Sequence, residues 1–342
     1  MKAPRIYIVV PCYNEEQVLP ETAKRLHGLM QRLIQSGQAA ADSRITLVDD
    51  GSGDQTWAVI QDLTRRYGEV EGLKLAHNAG HQNALWAGMM TVKDRADAVI
   101  TIDADLQDDV EAIPQFLQAY REGCQVVYGV RSQRKTDTAF KRNTAHWYYA
   151  LMGRLGAQLV YDHADYRLLG RQALEALSQF GESNLFLRGM VPLLGFPHKE
   201  VYYQRGERFA GESKYPLKKM LAFAMEGITS FSVKPIRLVL LLGILFAVAG
   251  LVMALWVIIR HAAGHTVAGW ASIMVSVWVI GGVQLMALGL IGEYVGKIYT
   301  EVKHRPRYIL ETYLDKPAGA SGGGRGQGID RQTQQTNNEE KA

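Results

Sequence analysis

Two uncharged stretches, Leu238–Ile259 and Gly269–Gly292, constrain this chain more than any other feature in it. Each is roughly 22 residues long, the length at which an α-helix spans the hydrocarbon core of a bilayer. A soluble core can bury one such run, but two in succession, joined by the short connector Arg260–Ala268, predict a transmembrane hairpin. Lys218, Lys219, Lys234 and Arg237 precede it, and Lys297, Lys303, Arg305 and Arg307 follow it. The connector holds only Arg260 and two histidines. This asymmetry of positive charge predicts a two-span protein of the inner (cell) membrane with both termini in the cytoplasm.

Outside these runs the 342 residues read as an ordinary globular chain, and the overall hydrophobic fraction of 47% hides the division. The formal net charge of +4 gives no reason to invoke nucleic acid and suits contact with anionic membrane lipids near the basic clusters. Cys12 and Cys124 lie in neither a CxxC nor a Cys/His ligand spacing, which argues against disulfide frameworks and zinc sites. The apolar run Ile6–Val10 is too short for the core of a signal peptide and leads straight into polar residues.

Short apolar runs alternate with helical patterns through the first part of the chain, predicting α/β architecture around a mainly parallel sheet. Strands are expected at 6–10, 45–48, 73–75, 98–102 and 126–128. Leu26, Leu29, Met30, Leu33 and Ile34 mark the buried face of the first helix. Further helices are expected over 55–67 and 82–92, and the globular domain is expected to end near Ala210. Between it and the hairpin, Leu217, Leu221, Ala224, Ile228 and Phe231 recur at helical spacing beside Lys218 and Lys219. That pattern predicts an interfacial helix lying on the membrane, with a domain-packing helix as the plain alternative. The stretch after Asp315 is rich in Gly, Gln and Asn, the composition of a disordered tail. The expected divisions are thus 1–210 globular, 211–235 juxtamembrane, 236–295 hairpin, 296–314 cytoplasmic juxtamembrane and 315–342 tail.

Acidic residues gather where strands end. Val48 runs into Asp49-Asp50-Gly51-Ser52-Gly53-Asp54, and Ile102 into Asp103-Ala104-Asp105-Leu106-Gln107. In an open parallel sheet ligands bind beyond the carboxyl ends of strands, so both clusters should meet in one crevice. If the backbone stays extended past Ile102, Asp103, Asp105 and Gln107 would point to one side and offer three oxygen ligands to a hard cation. A DxD pair that merely caps a turn is the competing reading.

Taken in order, Val10-Pro11-Cys12-Tyr13-Asn14-Glu15-Glu16, Val48-Asp49-Asp50-Gly51-Ser52 and Asp103-Ala104-Asp105 resemble the GT-A family 2 glycosyltransferases. Asp165-Tyr166-Arg167-Leu168-Leu169 and the segment from Arg208 to Tyr215 resemble the polyprenyl-phosphate glycosyltransferases of the dolichyl-phosphate mannose synthase type. The hairpin followed by Gly292-Glu293-Tyr294-Val295-Gly296-Lys297 resembles their bacterial branch, which includes undecaprenyl-phosphate glucosyltransferases. The likeness runs over about residues 5–310. It implies a Rossmann-like GT-A catalytic domain followed by the interfacial helix and the hairpin. It also implies a Mg²⁺- or Mn²⁺-dependent enzyme taking a UDP-sugar donor and a polyprenyl phosphate acceptor.

Residue by residue, the resemblance places Pro11, Tyr13 and Glu15 in the loop around the nucleoside, with Asp50 accepting hydrogen bonds from the base. Asn78 and His81 border the nucleotide. Asp103 and Asp105 would hold the cation at the diphosphate, assisted by Gln107. Arg131 would meet phosphate. The plain alternatives are a turn shaped by Pro11 and Asn14, a helix cap by Asp50 near Gln55, and a helix start at His81.

The acceptor phosphate monoester is largely dianionic at neutral pH, so it needs positioning and charge compensation more than a general base. Arg131, Arg205, Arg208 and Lys214 could supply them, or the last three could be a solvated basic stretch. Asp165 is a candidate for orienting a substrate hydroxyl or acting as a weak base, with a salt bridge to Arg167 as the structural alternative. In-line attack at the anomeric carbon would invert configuration. UDP-glucose is the leading donor by resemblance, with 4-amino-4-deoxy-arabinose or mannose donors as alternatives. A processive synthase is disfavoured because the chain contains no Arg-Trp pair. A non-catalytic scaffold or sugar-lipid carrier would leave the acidic strand ends unexplained. Gly281, Gly282, Ala287, Gly289 and Gly292 would permit close helix packing in a homo-oligomer.

Overall fold

A computed structural model describes residues 3–132, 163–182, 185–204 and 269–315, with single positions between 236 and 259. These residues fall into two units, a sheet unit that includes 306–315 and a helical unit that ends at Arg305. Arg205, Arg208, Lys214, the interfacial helix, the hairpin connector and the tail lie outside the described residues.

In the sheet unit the elements run β1 (Ile6–Cys12), α1 (Leu19–Gln35), β2 (Arg44–Asp49), α2 (Thr56–Arg66), β3 (Val70–Leu75), α3 (His81–Val92) and β4 (Ala98–Thr101). After a 3₁₀ turn at Val110–Ala112 come α4 (Ile113–Arg121), β5 (Val126–Arg131), β6 (His163–Gly170), α5 (Arg171–Ser178), α6 (Leu187–Leu193) and β7 (His198–Tyr203). The last strand is β8 (Leu310–Leu314). Every expected strand and helix of the first part is present, with ends moved by a few residues.

The eight strands form one sheet in the order β7-β5-β6-β4-β1-β2-β3-β8. The core β4-β1-β2-β3 is parallel, and the chain reverses its winding at β1, which pairs with both β2 and β4. That reversal opens a crevice beyond the carboxyl ends of β1 and β4, the place where such sheets take ligands. β6 and β8 run antiparallel to their neighbours, so the parallel character belongs to the core and to the β5–β7 pair.

Local sequence explains these elements. β1 is almost continuously apolar and all seven of its residues are buried, as expected of a central strand in a parallel sheet, and in β2 every residue after Arg44 is buried too. In α1 a buried stripe recurs at helical spacing, from Leu19 and Ala23 through Leu26, Met30 and Leu33. α3 lies close against the sheet. A Cβ on Gly88 would stand 2.4 Å from Val9 Cγ1 and 2.9 Å from Val48 Cγ2, so only glycine allows this approach.

Three strands escaped the sequence patterns. β6 carries Asp165 and Arg167 in the sheet interior, β7 is an edge strand with four exposed residues, and β8 lies beyond the hairpin. Residues 310–314, expected only as part of a cytoplasmic juxtamembrane segment, add an antiparallel edge to β3. Arg95 and Tyr313 secure that edge by reaching the fully buried Glu71, and Arg95 also pairs with Asp315 at 2.9 Å.

In the helical unit, α7 (Trp270–Val302) is 33 residues long and takes up the second uncharged run from Trp270 onward, with Gly269 at its N-cap. Leu285, Met286, Leu288, Ile291, Val295 and Ile298 on it are exposed. Among the described residues no helix is long and apolar enough to cross a membrane.

Candidate functional site

The carboxyl ends of β1 and β2 are laced together by their loops. Asn14 takes a left-handed conformation (φ 56°). Its backbone N–H donates to Ser52 Oγ at 3.1 Å, while its side-chain Oδ1 accepts from Gly53 N–H at 2.9 Å. Glu15 N–H donates to Thr56 Oγ1 at 2.9 Å, and Gln55 N–H to Glu16 Oε2 at 2.9 Å. Pro11 therefore lies buried in β1, with Tyr13 half exposed at its rim and Glu15 in the adjoining loop. Asp54, just ahead of the N-cap Gln55 of α2, accepts from the Thr56 N–H and hydroxyl at 3.0 and 2.6 Å, so Asp50 is not the cap.

Asp50 holds a different segment. Its two carboxylate oxygens accept the N–H groups of Ala79 and Gly80 at 2.7 and 3.0 Å. Burial pushes its pKa up, against the opposing pull of those two bonds. Beside it Gly51 adopts φ 64°, where an added Cβ would meet the His77 carbonyl carbon at 2.4 Å and the Asn78 nitrogen at 2.5 Å. Asp50, Asn78 and the start of α3 at His81 are thereby brought together.

His81 begins α3, as its plain alternative had it, and it also joins two carboxylates. Its Nε2 stands 3.5 Å from Asp103 Oδ1 and 3.6 Å from Asp165 Oδ2. Burial alone would lower its pKa, but the Asp165 contact and the charges of both aspartates raise it. Asp103 is pushed up to about 6, chiefly by burial and further by Asp108, Asp165 and Asp105, with His81 opposing.

The backbone does not stay extended beyond β4, which corrects the expected alternation of Asp103, Asp105 and Gln107. β4 ends at Thr101, and Leu106 sits in the left-handed region at φ 58°. The chain turns there, and Gln107 N–H donates back to Asp105 Oδ1 at 3.2 Å. The loop is pinned from outside by Thr22 Oγ1 donating to the Ala104 carbonyl (2.7 Å) and Tyr166 OH to the Asp109 carbonyl (2.9 Å).

No three or more His, Cys, Asp or Glu side chains among the described residues are grouped so as to hold a metal by themselves. What the loop offers is a pair of carboxylates, with Asp103 Oδ1 buried and without a hydrogen-bond partner. A hard cation that takes its remaining ligands from substrate phosphate and water suits such an oxygen pair.

Asp165 is the hub of the opposite wall. Only 4% exposed, it pairs with the buried Arg167, with Arg188 Nη2 at 3.0 Å and with Gln82 Nε2 at 3.3 Å. Burial favours its neutral form, yet His81, Arg167 and Arg188 outweigh burial and hold the carboxyl well below the usual range. The salt bridge weighed against a functional role for Asp165 is thus present, inside a larger network. Gln82 Oε1 also accepts the Leu187 N–H (3.1 Å), and Arg167 Nη1 donates to the Leu187 carbonyl (3.1 Å), tying α6 to α3 and β6.

Arg131 ends β5 and faces the same loop. Its Nη2 lies 3.3 Å from Asp108 Oδ1, and its Nε 3.3 Å from the Tyr203 hydroxyl. Tyr203 in turn donates to Asp108 Oδ1 at 2.5 Å. Gln82, Asp108, Arg188 and Tyr203 were not singled out from the sequence. Asp108 had a usable signal in the acidic run Asp103–Asp109, whereas Arg188 and Tyr203 stand in no spacing that marks them.

The profile of glycosyl transferase family 2 matches residues 7–178, and that of the GtrB C-terminal hairpin matches residues 234–298. The uncharacterized glycosyltransferase YkoT of Bacillus subtilis is 54% identical over 311 residues, covering 91% of this chain and 92% of that protein. The bactoprenol glucosyl transferase of Shigella phage SfV is 37% identical over 316 residues, covering 91% of this chain and 100% of the relative. A prophage bactoprenol glucosyl transferase homolog of Escherichia coli is 35% identical, covering 90% and 98%.

Proposed function

Because the chain belongs to glycosyl transferase family 2, we propose that it transfers a hexose from a nucleotide diphosphate sugar to undecaprenyl or another polyprenyl phosphate. The observation that carries this reading is the match along the full length of a bactoprenol glucosyl transferase, hairpin included. UDP-glucose is the proposed donor, and the product a polyprenyl-phosphate sugar for cell-envelope glycan modification. The GT-A sheet supports the reading by gathering the expected nucleotide and carboxylate loops at one end of its parallel core.

On this reading Pro11, Tyr13, Glu15, Asp50, Asn78 and His81 surround the nucleotide. Asp103 and Asp105, with Gln107, would hold Mg²⁺ or Mn²⁺. When bound, the cation supplies neutralisation of the charge that develops on the departing nucleoside diphosphate. The acceptor phosphate is already a good nucleophile, so the protein's task is to orient it and balance its charge. Arg131 does so from β5, and Arg205, Arg208 and Lys214 from the segment ahead of the hairpin. Asp165, held well below the usual carboxylate range by the His81 imidazole and the Arg167 and Arg188 guanidiniums, is a poor proton acceptor and serves to position His81 and Arg188. Attack in line with the leaving group gives inversion.

We further propose two membrane spans from the uncharged runs inside the hairpin match, with both termini cytoplasmic from the flanking positive charges, an interfacial helix over 215–231 from its apolar spacing, and a homo-oligomer packed along the small residues of the second run. The test incubates purified protein and undecaprenyl phosphate with a panel of UDP-glucose, mannose and amino-arabinose donors, with and without Mn²⁺. Glucose transfer with inverted anomeric configuration is expected. Absence of transfer to any lipid phosphate would overturn the reading, and retention of configuration would overturn the mechanism.

A further inference from the structure

Asp108 is 3% exposed, and its two oxygens are used unequally. Oδ1 accepts from both Arg131 and Tyr203, while Oδ2 is buried with no hydrogen-bond partner. A half-satisfied buried carboxylate is costly for the fold, and such groups are expected where a charge is needed. Its surroundings indicate what for. Asp108 belongs to the loop of Asp103 and Asp105, Arg131 ends β5, and Tyr203 ends β7. Three separate elements are therefore joined at one oxygen.

The aromatic packing aims the Tyr203 hydroxyl. Its ring meets Tyr166 edge-on at 5.2 Å between centroids, and Tyr166 packs against Phe116 at 4.6 Å. The hydroxyl is thereby fixed between Asp108 and Arg131 Nε. A guanidinium carries five N–H donors in a rigid plane, so engaging Nε and one Nη2 hydrogen sets the direction of the rest. Arg131 Nη1 has no partner among the described residues.

We propose that Asp108 and Tyr203 are positioning residues that fix the plane of the Arg131 guanidinium, so that its outer N–H groups engage a substrate phosphate. This deepens the phosphate-binding reading of Arg131 above and rests on it. The phosphate could be the acceptor monoester or the donor diphosphate, which share the same recognition chemistry.

The test uses the full-length enzyme with separate titrations of UDP-glucose and undecaprenyl phosphate. Asp108→Asn and Tyr203→Phe should each raise one KM about tenfold, the loss of one charge-assisted bond, with kcat changed less. A rise confined to the lipid substrate assigns the acceptor phosphate, and one confined to UDP-glucose assigns the donor. Each double variant with Arg131→Ala should be no worse than Arg131→Ala alone. Effects that add to that of Arg131→Ala, or that lower the melting temperature and both substrates' kcat/KM together, would overturn the positioning role. If Arg131→Ala itself leaves both KM values unchanged, the phosphate-binding reading falls. If Arg131→Ala raises KM while Asp108→Asn and Tyr203→Phe do not, the positioning inference alone falls.

Discussion

At the scale of single residues, the site is a set of carboxylates in unlike surroundings. Asp103 has one buried oxygen without a partner and is pushed up to about 6, whereas Asp165 is held well below the usual range by His81 and two guanidiniums. Each should respond to substitution in its own way. On the proposed function Asp105→Asn should lower transfer about a hundredfold or more while the melting temperature holds, because it would weaken the proposed cation site and no packed core. A non-catalytic scaffold would be indifferent to that change, so radiolabelled sugar transfer to lipid separates the two. Asp165→Ala should instead show up in stability. It strands Arg167, 2% exposed, without its counter-charge, an arrangement expected to cost about 3–5 kcal/mol and roughly 10 °C of melting temperature. Asp165→Asn, which keeps the acceptor oxygen, should recover part of that loss in the same thermal melts. Of these residues, Asp103, Asp105 and Asp165 were legible in the sequence because they stand in short ordered motifs. Arg188 and Tyr203 were not, since only folding brings them to the site from positions far along the chain.

At the scale of elements, β8 is the part that sequence patterns concealed. It is five residues long, follows a 33-residue helix and alternates too weakly to announce a strand. Its place is set by Glu71 on β3, which Tyr313 reaches through a 2.7 Å hydrogen bond and which Arg95 pairs with at 3.4 Å. Burial pushes the Glu71 carboxyl up to about 7, with Asp315 adding to the rise and Arg95 and Arg44 opposing it. A carboxyl whose folded pKa lies above its ordinary 4.5 favours the folded state most at low pH. That contribution declines as the pH climbs from 4.5 through about 7 and is constant beyond. Glu71→Gln should abolish this decline, worth up to about 3 kcal/mol. Thermal melts of both proteins at about pH 4.5 and pH 7.5 test it, the variant gaining on the wild type at the higher pH. An unchanged difference between the two pH values would show that Glu71 does not titrate with folding.

At the scale of the whole molecule, the polypeptide leaves the sheet unit after β7 and returns to it at β8, with the hairpin region between. If the hairpin anchors the protein, replacing residues 234–298 by a flexible Gly/Ser linker should release it from membranes. The released sheet unit should keep β8, since its pairing with β3 does not depend on the hairpin's composition. Fractionation after carbonate washing checks the first expectation. Persistence of the variant in the pellet would move the membrane attachment to residues outside the hairpin.

Legible along the chain are the α/β succession, the acidic residues that follow β2 and β4, and the pair of uncharged runs. All three are local properties, carried by periodicity and by the chemistry of neighbouring residues. Folding was needed to set β6 antiparallel between β4 and β5, β8 along the far edge, and the turn of the backbone at Leu106. Folding likewise sets the company each carboxylate keeps: Asp50 with the amides of Ala79 and Gly80, Asp165 with Arg188, Asp108 with Tyr203. Those pairings join residues up to about a hundred positions apart, where side-chain direction and burial, rather than spacing along the chain, set which groups meet.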